Sequence, residues 1–221
     1  MNNISITEKY ALCMLKEKKK LYDDILISYL FISMIVEMML DDNLEIENNK
    51  VKLNNKVPVT KYNKIFYEMI KKLLEDLKKE EISIQRILNH ISYSLKKRTE
   101  VIDSLKEEMV EHNLLSIEHK KWLLGDKEQI VINEEKFHSL FQELREEFLE
   151  NRSLQEDYIL LGALLNSTRF LKKFFTKYDR EILNQRIKEI KDSPIADKVK
   201  VAEQVISDAI MMVVVVASTL N

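Results

Sequence analysis

Glycine, proline and cysteine are scarce in this 221-residue chain, which contains two Gly, two Pro and one Cys. So few turn-forming residues favour helix, and they leave little material for a glycine-rich phosphate loop, so a dinucleotide or P-loop site is nearly excluded. Cys13 has no second cysteine with which to form a disulfide, and a Cys-based zinc site would lack ligands. This composition indicates a helical protein of a reducing compartment.

Neither sign of charge dominates, because 35 Lys and Arg residues stand against 37 Asp and Glu residues. Such a balance gives no whole-molecule field for nucleic acid or for an anionic membrane, so any polyanion site must be local. The length and the hydrophobic share of 45% predict a single domain over residues 1–221. The longest apolar run, residues 209–217, is about half of the roughly 20 residues that a membrane span needs, and it predicts a buried C-terminal helix.

Signatures of catalysis and of metal binding are missing. The four histidines are scattered among charged neighbours without a ligand spacing, so we expect solvated surface side chains at positions 90, 112, 119 and 138. There is no Gly-x-Ser-x-Gly elbow, and pairs such as Glu107-Glu108 fit the polar faces of helices. We therefore expect a protein that is not an enzyme and that has no cofactor and no metal.

Helical periodicity covers most of the chain. The segment Ser5-Ile6-Thr7-Glu8 is typical of a helix start with Thr7 as the N-cap, rather than of a signal peptide. Residues 21–40 are apolar nearly all the way round and predict a central buried helix in which Glu37 is the exception. The rest of the chain predicts amphipathic helices around it, so the expected fold is a mainly α bundle ringed by amphipathic helices.

One predicted helix carries an unusual basic residue. Its apolar stripe runs from Ile84 to Met109, and a rotation of 100° per residue places Arg98 in the middle of this stripe, with Lys96 and Lys97 on either side. A guanidinium on an apolar face needs an anion. Either Arg98 pairs internally with Glu37, or it binds a ligand such as a phosphate.

Two β-hairpins are predicted in this helical chain. Alternating residues around Asn48-Asn49 predict a short hairpin at 44–53. A second, more apolar hairpin is predicted at 121–132, with its turn at 125–128 and with Trp122, Leu123 and Leu124 before the turn. If these three side chains are exposed, they form a patch suited to a membrane or a protein partner. The alternative is a hairpin that folds back on its own core.

The order of these parts resembles the Golgi phosphoprotein 3 (GPP34) family over roughly residues 4–218. The resemblance rests on five segments in the same order, namely the helix start at 4–8, the buried helix ending at 35–44 with its hairpin, residues 109–115, the apolar hairpin at 121–132 and the Ala/Val-rich C-terminal helix. It implies a central helical bundle with a protruding apolar hairpin. Eukaryotic members read phosphatidylinositol 4-phosphate and retain glycosyltransferases in the Golgi. The Lys, Ile and Asn content indicates an AT-rich genome and favours a bacterial member.

The resemblance also locates a lipid site. An ungapped placement puts Tyr22 at the family's tryptophan and puts Phe31, Thr99 and Ile102 at its three basic positions, so these charges are not kept. A shift of one residue brings Arg98 to the pocket, with Lys96 and Lys97 beside it. The family's Arg-Gly after the buried helix is replaced by Asp41-Asp42, which adds negative charge.

Two classes of function remain open from the sequence. The first is a peripheral membrane protein of the cytoplasm that binds anionic phospholipid through Tyr22, Lys96, Lys97 and Arg98 and through the hairpin. The second is an interaction protein without lipid binding, in which the same hairpin joins subunits or binds a partner.

Overall fold

The structure is a computed structural model that describes residues 4–18, 20–122, 125–150, 155–168, 170–189 and 196–219. The first half of the chain contains α1 (Ile6–Lys18), α2 (Asp24–Leu40), β1 (Leu44–Glu47), β2 (Lys50–Leu53), α3 (Lys61–Leu77), β3 (Glu81–Ser83), α4 (Ile84–Tyr93) and α5 (Leu95–Glu111). The second half contains β4 (Leu115–Trp122), β5 (Gly125–Ile132), α6 (Glu134–Leu149), α7 (Glu156–Ser167), α8 (Phe170–Phe174), α9 (Lys177–Glu189) and α10 (Ala196–Thr219). The mainly α fold is therefore confirmed.

Helix α2 lies at the centre of the bundle, as its apolar sequence predicts. Most of its side chains are buried, and it packs against α1, α7 and α10. The helix begins after Asp23, whose carboxylate accepts a hydrogen bond from the backbone N–H of Leu26 and so satisfies one of the free donors of the first turn. The buried side chains of the surrounding helices join those of α2 in one hydrophobic cluster.

The start of α1 differs from the prediction in its capping residue. Ser5 Oγ accepts the backbone N–H of Glu8 at 3.1 Å, and the Glu8 carboxylate accepts the backbone N–H of Ser5 at 3.0 Å. This reciprocal arrangement is a capping box, so the cap is Ser5 and the prediction of Thr7 was wrong. Thr7 lies inside the first turn, where its side chain is buried.

The predicted hairpin at 44–53 is confirmed and has a third strand. Asn48 and Asn49 both have positive φ, of 50° and 60°, which asparagine adopts more readily than most residues and which a two-residue hairpin turn requires. Strand β3 pairs antiparallel with β2 on the other side from β1. It leads directly into α4, whose N-cap is Ser83.

The long helix predicted over residues 84–109 is two helices. Helix α4 ends at Tyr93 and α5 begins at Leu95, because Ser94 between them leaves the helical conformation with φ −101° and ψ 68°. Apolar side chains on both helices still reach the core, including Ile87, Ile91 and Ile102. Within α5, Arg98 lies on the same stripe as the buried Ile102 and Leu105.

The second hairpin is longer than predicted. Its strands pair from Leu115 with Ile132 to Trp122 with Gly125. Residues 125–128, predicted as the turn, belong to β5. The prediction of a hairpin is confirmed, and its predicted boundaries were wrong.

The remaining helices complete the bundle, with α7 packed against α1 and α10 and α9 packed against α6. A close approach occurs at Gly162 in α7, where a Cβ atom would lie 3.0 Å from Cζ of Phe148 in α6. None of the helices in the described part of the chain is long and apolar enough to cross a membrane. The predicted burial of the side chains at 209–217 lies outside what the structure describes.

Candidate functional site

The start of α2 and the first half of α5 meet at an ion pair. Arg98 Nη1 donates to Asp24 Oδ1 at 2.9 Å, with the Arg98 side chain 20% exposed and that of Asp24 81% exposed. The predicted internal pair of Arg98 with Glu37 was therefore wrong, because α5 brings Arg98 to the first residue of α2, whereas Glu37 lies near the other end of that helix. An ion pair with an exposed carboxylate contributes little to stability and exchanges readily for another anion.

Glu37 instead belongs to a buried polar cluster. Its carboxylate accepts the backbone N–H of Thr7 at 2.8 Å, the hydroxyl of Tyr62 at 3.0 Å and the amide of Asn63 at 2.6 Å. Burial outweighs these hydrogen bonds and raises the pKa of Glu37 to about 7. The cluster joins α1 and α3 to the central helix α2.

This cluster extends to the surface through the start of α1. The Ser5 hydroxyl lies 2.6 Å from the Tyr62 hydroxyl, and Glu8 Oε1 lies 2.6 Å from His112 Nδ1 at the end of α5. The prediction of a merely solvated surface side chain was therefore wrong for His112. The prediction that Glu108 lies on a polar, solvated helix face was also wrong, because Glu108 is buried and accepts the backbone N–H of Lys61.

Tyr22, two residues before Asp24 in the chain, contacts α5 further along the helix than Arg98 does. Its hydroxyl donates to the Asp103 carboxylate, and Lys106 Nζ lies 5.7 Å from the centre of its ring. Partial burial and the hydrogen bond to Asp103 raise the pKa of Tyr22. Lys106 Nζ also lies 3.6 Å from carboxylate oxygens of Asp103 and Glu128. The charge of Lys106 is thus balanced by neighbouring acids.

Lys96 and Lys97 differ from Lys106, because neither forms an ion pair with any residue in the ranges that the structure describes. Lys96 is exposed and Lys97 is partly exposed, and both lie in the first turn of α5. Lys96, Lys97 and Arg98 are consecutive residues of α5, and Tyr22 contacts the same helix at Asp103; we call these four residues the basic surface. Two of the positions that align with the family's basic residues, Phe31 and Ile102, are fully buried in the core.

The hairpin part of the predicted site lies outside this description. Leu123 and Leu124 are not among the described residues, and for Trp122 only the backbone is described, at the end of β4. The hypothesis of an apolar hairpin tip therefore stays a prediction.

Sequence reasoning missed two groups of residues at the basic surface. The first is the set of acids that meet its polar groups, Asp24 and Asp103, together with Lys106. The second is the exposed pair Tyr93 and Leu95 at the junction of α4 and α5. A signal for the junction was present in the sequence, since Ser92, Tyr93 and Ser94 are three successive residues of modest helix propensity.

Two clefts lie away from the basic surface and are lined by other residues. One, of about 390 Å³, is lined by Lys9 and by acidic residues of α6 and α7, and another, of about 460 Å³, lies between Leu15 and strand β5. Neither of these two clefts includes a residue of the basic surface. No group of three or more His, Cys, Asp or Glu side chains in the described ranges is arranged to hold a metal ion.

These features define a class of protein, namely a helical bundle with an antiparallel hairpin, a central apolar helix and a surface with an exposed tyrosine and two lysines that form no ion pair within the described ranges. The family model described as Golgi phosphoprotein 3 (GPP34) matches residues 12–213, so the chain belongs to that family. No curated protein matches the chain.

Proposed function

We propose that this protein associates peripherally with membranes at their cytoplasmic surface and binds the head groups of anionic phospholipids through the basic surface. The observation that carries the proposal is the pair Lys96 and Lys97, which have no acidic partner in the described part of the chain and lie within two residues of Arg98. Each lysine near an anionic bilayer contributes about 1 kcal/mol of attraction, so several cations must act together. The protein would act by binding rather than by catalysis.

The geometry favours a general anionic site over a closed phosphoinositide pocket. Arg98 already contacts Asp24, and the Tyr22 hydroxyl already contacts Asp103, so both groups must exchange a carboxylate for a phosphate when lipid binds. Phosphatidylinositol 4-phosphate is the lipid to test first, because it is the lipid that the family resemblance implies. Its phosphomonoester carries more charge than an ordinary phospholipid and competes better with a carboxylate.

Co-sedimentation with three kinds of vesicle tests this proposal. The vesicles are neutral, generically anionic, or contain phosphatidylinositol 4-phosphate, and the parent protein is compared with Arg98→Ala and with Lys96→Gln/Lys97→Gln. The matched control is Lys52→Gln/Lys64→Gln, which removes the same charge from two other exposed lysines. We expect pelleting only with charged vesicles, weakened by salt, reduced in both test variants and unchanged in the control. Pelleting that high salt leaves unchanged would contradict the electrostatic contribution.

A second candidate function is self-association or partner binding through the β4–β5 hairpin. The observation in its favour is the length of this ribbon, which has eight residues in each strand and pairs with no other strand in the part of the chain that the structure describes. Two-stranded ribbons offer free backbone groups at their edges to another chain. A dimer in sedimentation velocity that Trp122→Asp dissociates, with no lipid binding at any salt concentration, would favour this function.

A further inference from the structure

An exposed apolar pair lies at the junction of α4 and α5. Tyr93 is 89% exposed and Leu95 is 61% exposed, and they stand on either side of Ser94, where the helix is broken. Tyr93 is the most exposed large hydrophobic side chain in the described residues. Neither side chain is needed to complete the core, which is filled from α4 and α5 by other residues.

Two further exposed apolar side chains belong to the same region. Leu95 precedes Arg98 by three residues and so lies on the same side of α5, and the ion pair of Arg98 with Asp24 joins this side to the start of α2. Tyr22 and Ile25, which flank Asp23 and Asp24 in the chain, are exposed as well. We call these four residues the apolar corner: Tyr22, Ile25, Tyr93 and Leu95.

The charges around the apolar corner indicate what it contacts. Lys96 and Lys97 directly follow Leu95, and Lys20, which is exposed, precedes Tyr22. Of the two acids between Tyr22 and Ile25, Asp23 caps α2 and Asp24 is paired with Arg98. An anionic bilayer matches this surface in both respects, since its head groups are negative and its interior is apolar. Tyrosine and leucine beside lysine are typical of segments that lie at the boundary between head groups and acyl chains.

We infer that the apolar corner inserts Tyr93 and Leu95 into the acyl-chain boundary of an anionic bilayer while the neighbouring lysines contact the head groups. This inference rests on the proposed function and adds a second membrane contact, separate from the β4–β5 hairpin. It predicts a component of binding that salt does not remove, because burial of apolar surface does not depend on ionic screening.

A fluorescent label at position 93 tests insertion directly. The single cysteine, Cys13, is fully buried, and burial raises the pKa of its thiol, so Tyr93→Cys provides one reactive thiol in the folded protein. An environment-sensitive dye there should shift to the blue on addition of phosphatidylcholine and phosphatidylserine vesicles, and spin-labelled acyl chains should quench it. The matched control is the same dye at Tyr178→Cys, on an exposed tyrosine of α9, a helix that packs against α6 and α8. Equal quenching at the two positions, or none at 93 while the protein pellets with vesicles, would overturn the inference.

Paired variants separate insertion from head-group binding. Tyr93→Ser/Leu95→Ser should weaken vesicle binding by about tenfold or more, because the burial of one such side chain alone strengthens binding by about that factor. The control is Val59→Ser/Tyr178→Ser. Val59 is exposed beside Lys61, which contacts the far end of α5 at Glu111, about 24 Å along the helix from Leu95 at 1.5 Å per residue. All variants are checked for an unchanged unfolding midpoint.

The outcomes distinguish the inference from the proposed function. If Lys96→Gln/Lys97→Gln loses binding while Tyr93→Ser/Leu95→Ser binds like the parent, insertion is wrong and head-group binding stands. If the parent does not pellet with any vesicle, the proposed function itself fails. If Tyr93→Ser/Leu95→Ser instead dissociates a dimer and the dye at 93 remains unquenched, the apolar corner is a contact between two copies of the chain.

Discussion

The Arg98 guanidinium donates to the Asp24 carboxylate across 2.9 Å, and this contact occupies the strongest hydrogen-bond donor of the basic surface. Asp24→Asn removes the negative charge and leaves a weaker acceptor in its place. We expect this variant to bind anionic vesicles about fivefold more tightly, which corresponds to the roughly 1 kcal/mol that one charge contributes near a bilayer. Vesicle titration at constant ionic strength measures the change.

The control for this prediction is Glu156→Gln, which neutralises an exposed acid in the first turn of another helix, as Asp24→Asn does. A general effect of net charge would strengthen the binding of both variants equally. If Asp24→Asn gains no more affinity for anionic vesicles than Glu156→Gln does, the prediction that Asp24 competes with lipid for Arg98 is wrong. Combined with Arg98→Ala, the gain from Asp24→Asn should largely disappear.

Glu37 makes stability depend on pH. Its pKa in the folded protein is about 7, compared with an ordinary value of 4.5, so the folded state holds this proton more tightly than the unfolded state. The resulting stabilisation is fully present below about pH 4.5, declines as the pH rises and is lost above about pH 7, with a total of about 3 kcal/mol. We expect the unfolding free energy of the parent, relative to that of Glu37→Gln, to fall by this amount across that interval.

Urea unfolding at a series of pH values measures this difference. Comparison with Glu37→Gln cancels the other titrating groups, because they are common to both proteins. The variant is less stable at every pH, since an amide presents an N–H to Thr7 or Asn63, which are themselves donors. A difference that stays constant between pH 4.5 and 7 would contradict the raised pKa.

The capping box gives a simpler prediction. Ser5→Ala removes the acceptor for the Glu8 N–H and a partner of the Tyr62 hydroxyl, so it should cost about 1 to 2 kcal/mol of unfolding free energy. Ser28→Ala in α2 is the control, because its exposed hydroxyl only bonds back to a carbonyl of its own helix. Equal stability of the two variants would show that Ser5 does not cap α1.

The contact of Gly162 with Phe148 predicts a large steric effect. A Cβ at Gly162 already lies 3.0 Å from the buried Phe148 ring, and the two added methyl groups of valine need space that the core does not contain. We expect Gly162→Val to lower the unfolding free energy by about 1 to 3 kcal/mol or more, as overpacking does. The double variant Gly162→Val/Phe148→Leu should recover part of this loss. If it recovers none, the loss does not arise from contact with the Phe148 ring.

Sequence patterns predicted the parts of the fold that depend on local chemistry. The apolar sequence of α2 required burial, and Asn48-Asn49 has the conformational freedom for a two-residue turn. The family followed from the order of such elements, and the family match over residues 12–213 confirms it. Strand β3 was missed because three residues are too few for a period to be visible.

The partner of Arg98 was beyond a sequence prediction for a physical reason. Periodicity places Arg98 on the inner stripe of α5 with Ile102 and Leu105, and its side chain is largely buried as this placement predicts. Periodicity does not show which end of α2 that stripe meets. The choice between Glu37 and Asp24 depends on where two helices cross, and this is a property of the packed core.

Helix α2 is apolar around its whole circumference, so burial alone would let α1 and α3 pack against it at several rotations and offsets. Glu37 removes this freedom, because its two oxygens must meet donors from Thr7 in α1 and from Tyr62 and Asn63 in α3 at the same time. The buried carboxylate thus selects one packing register from several that would bury similar amounts of apolar surface. Replacement of the whole cluster by well-packed apolar side chains would leave a protein of similar stability that populates more than one arrangement of the bundle.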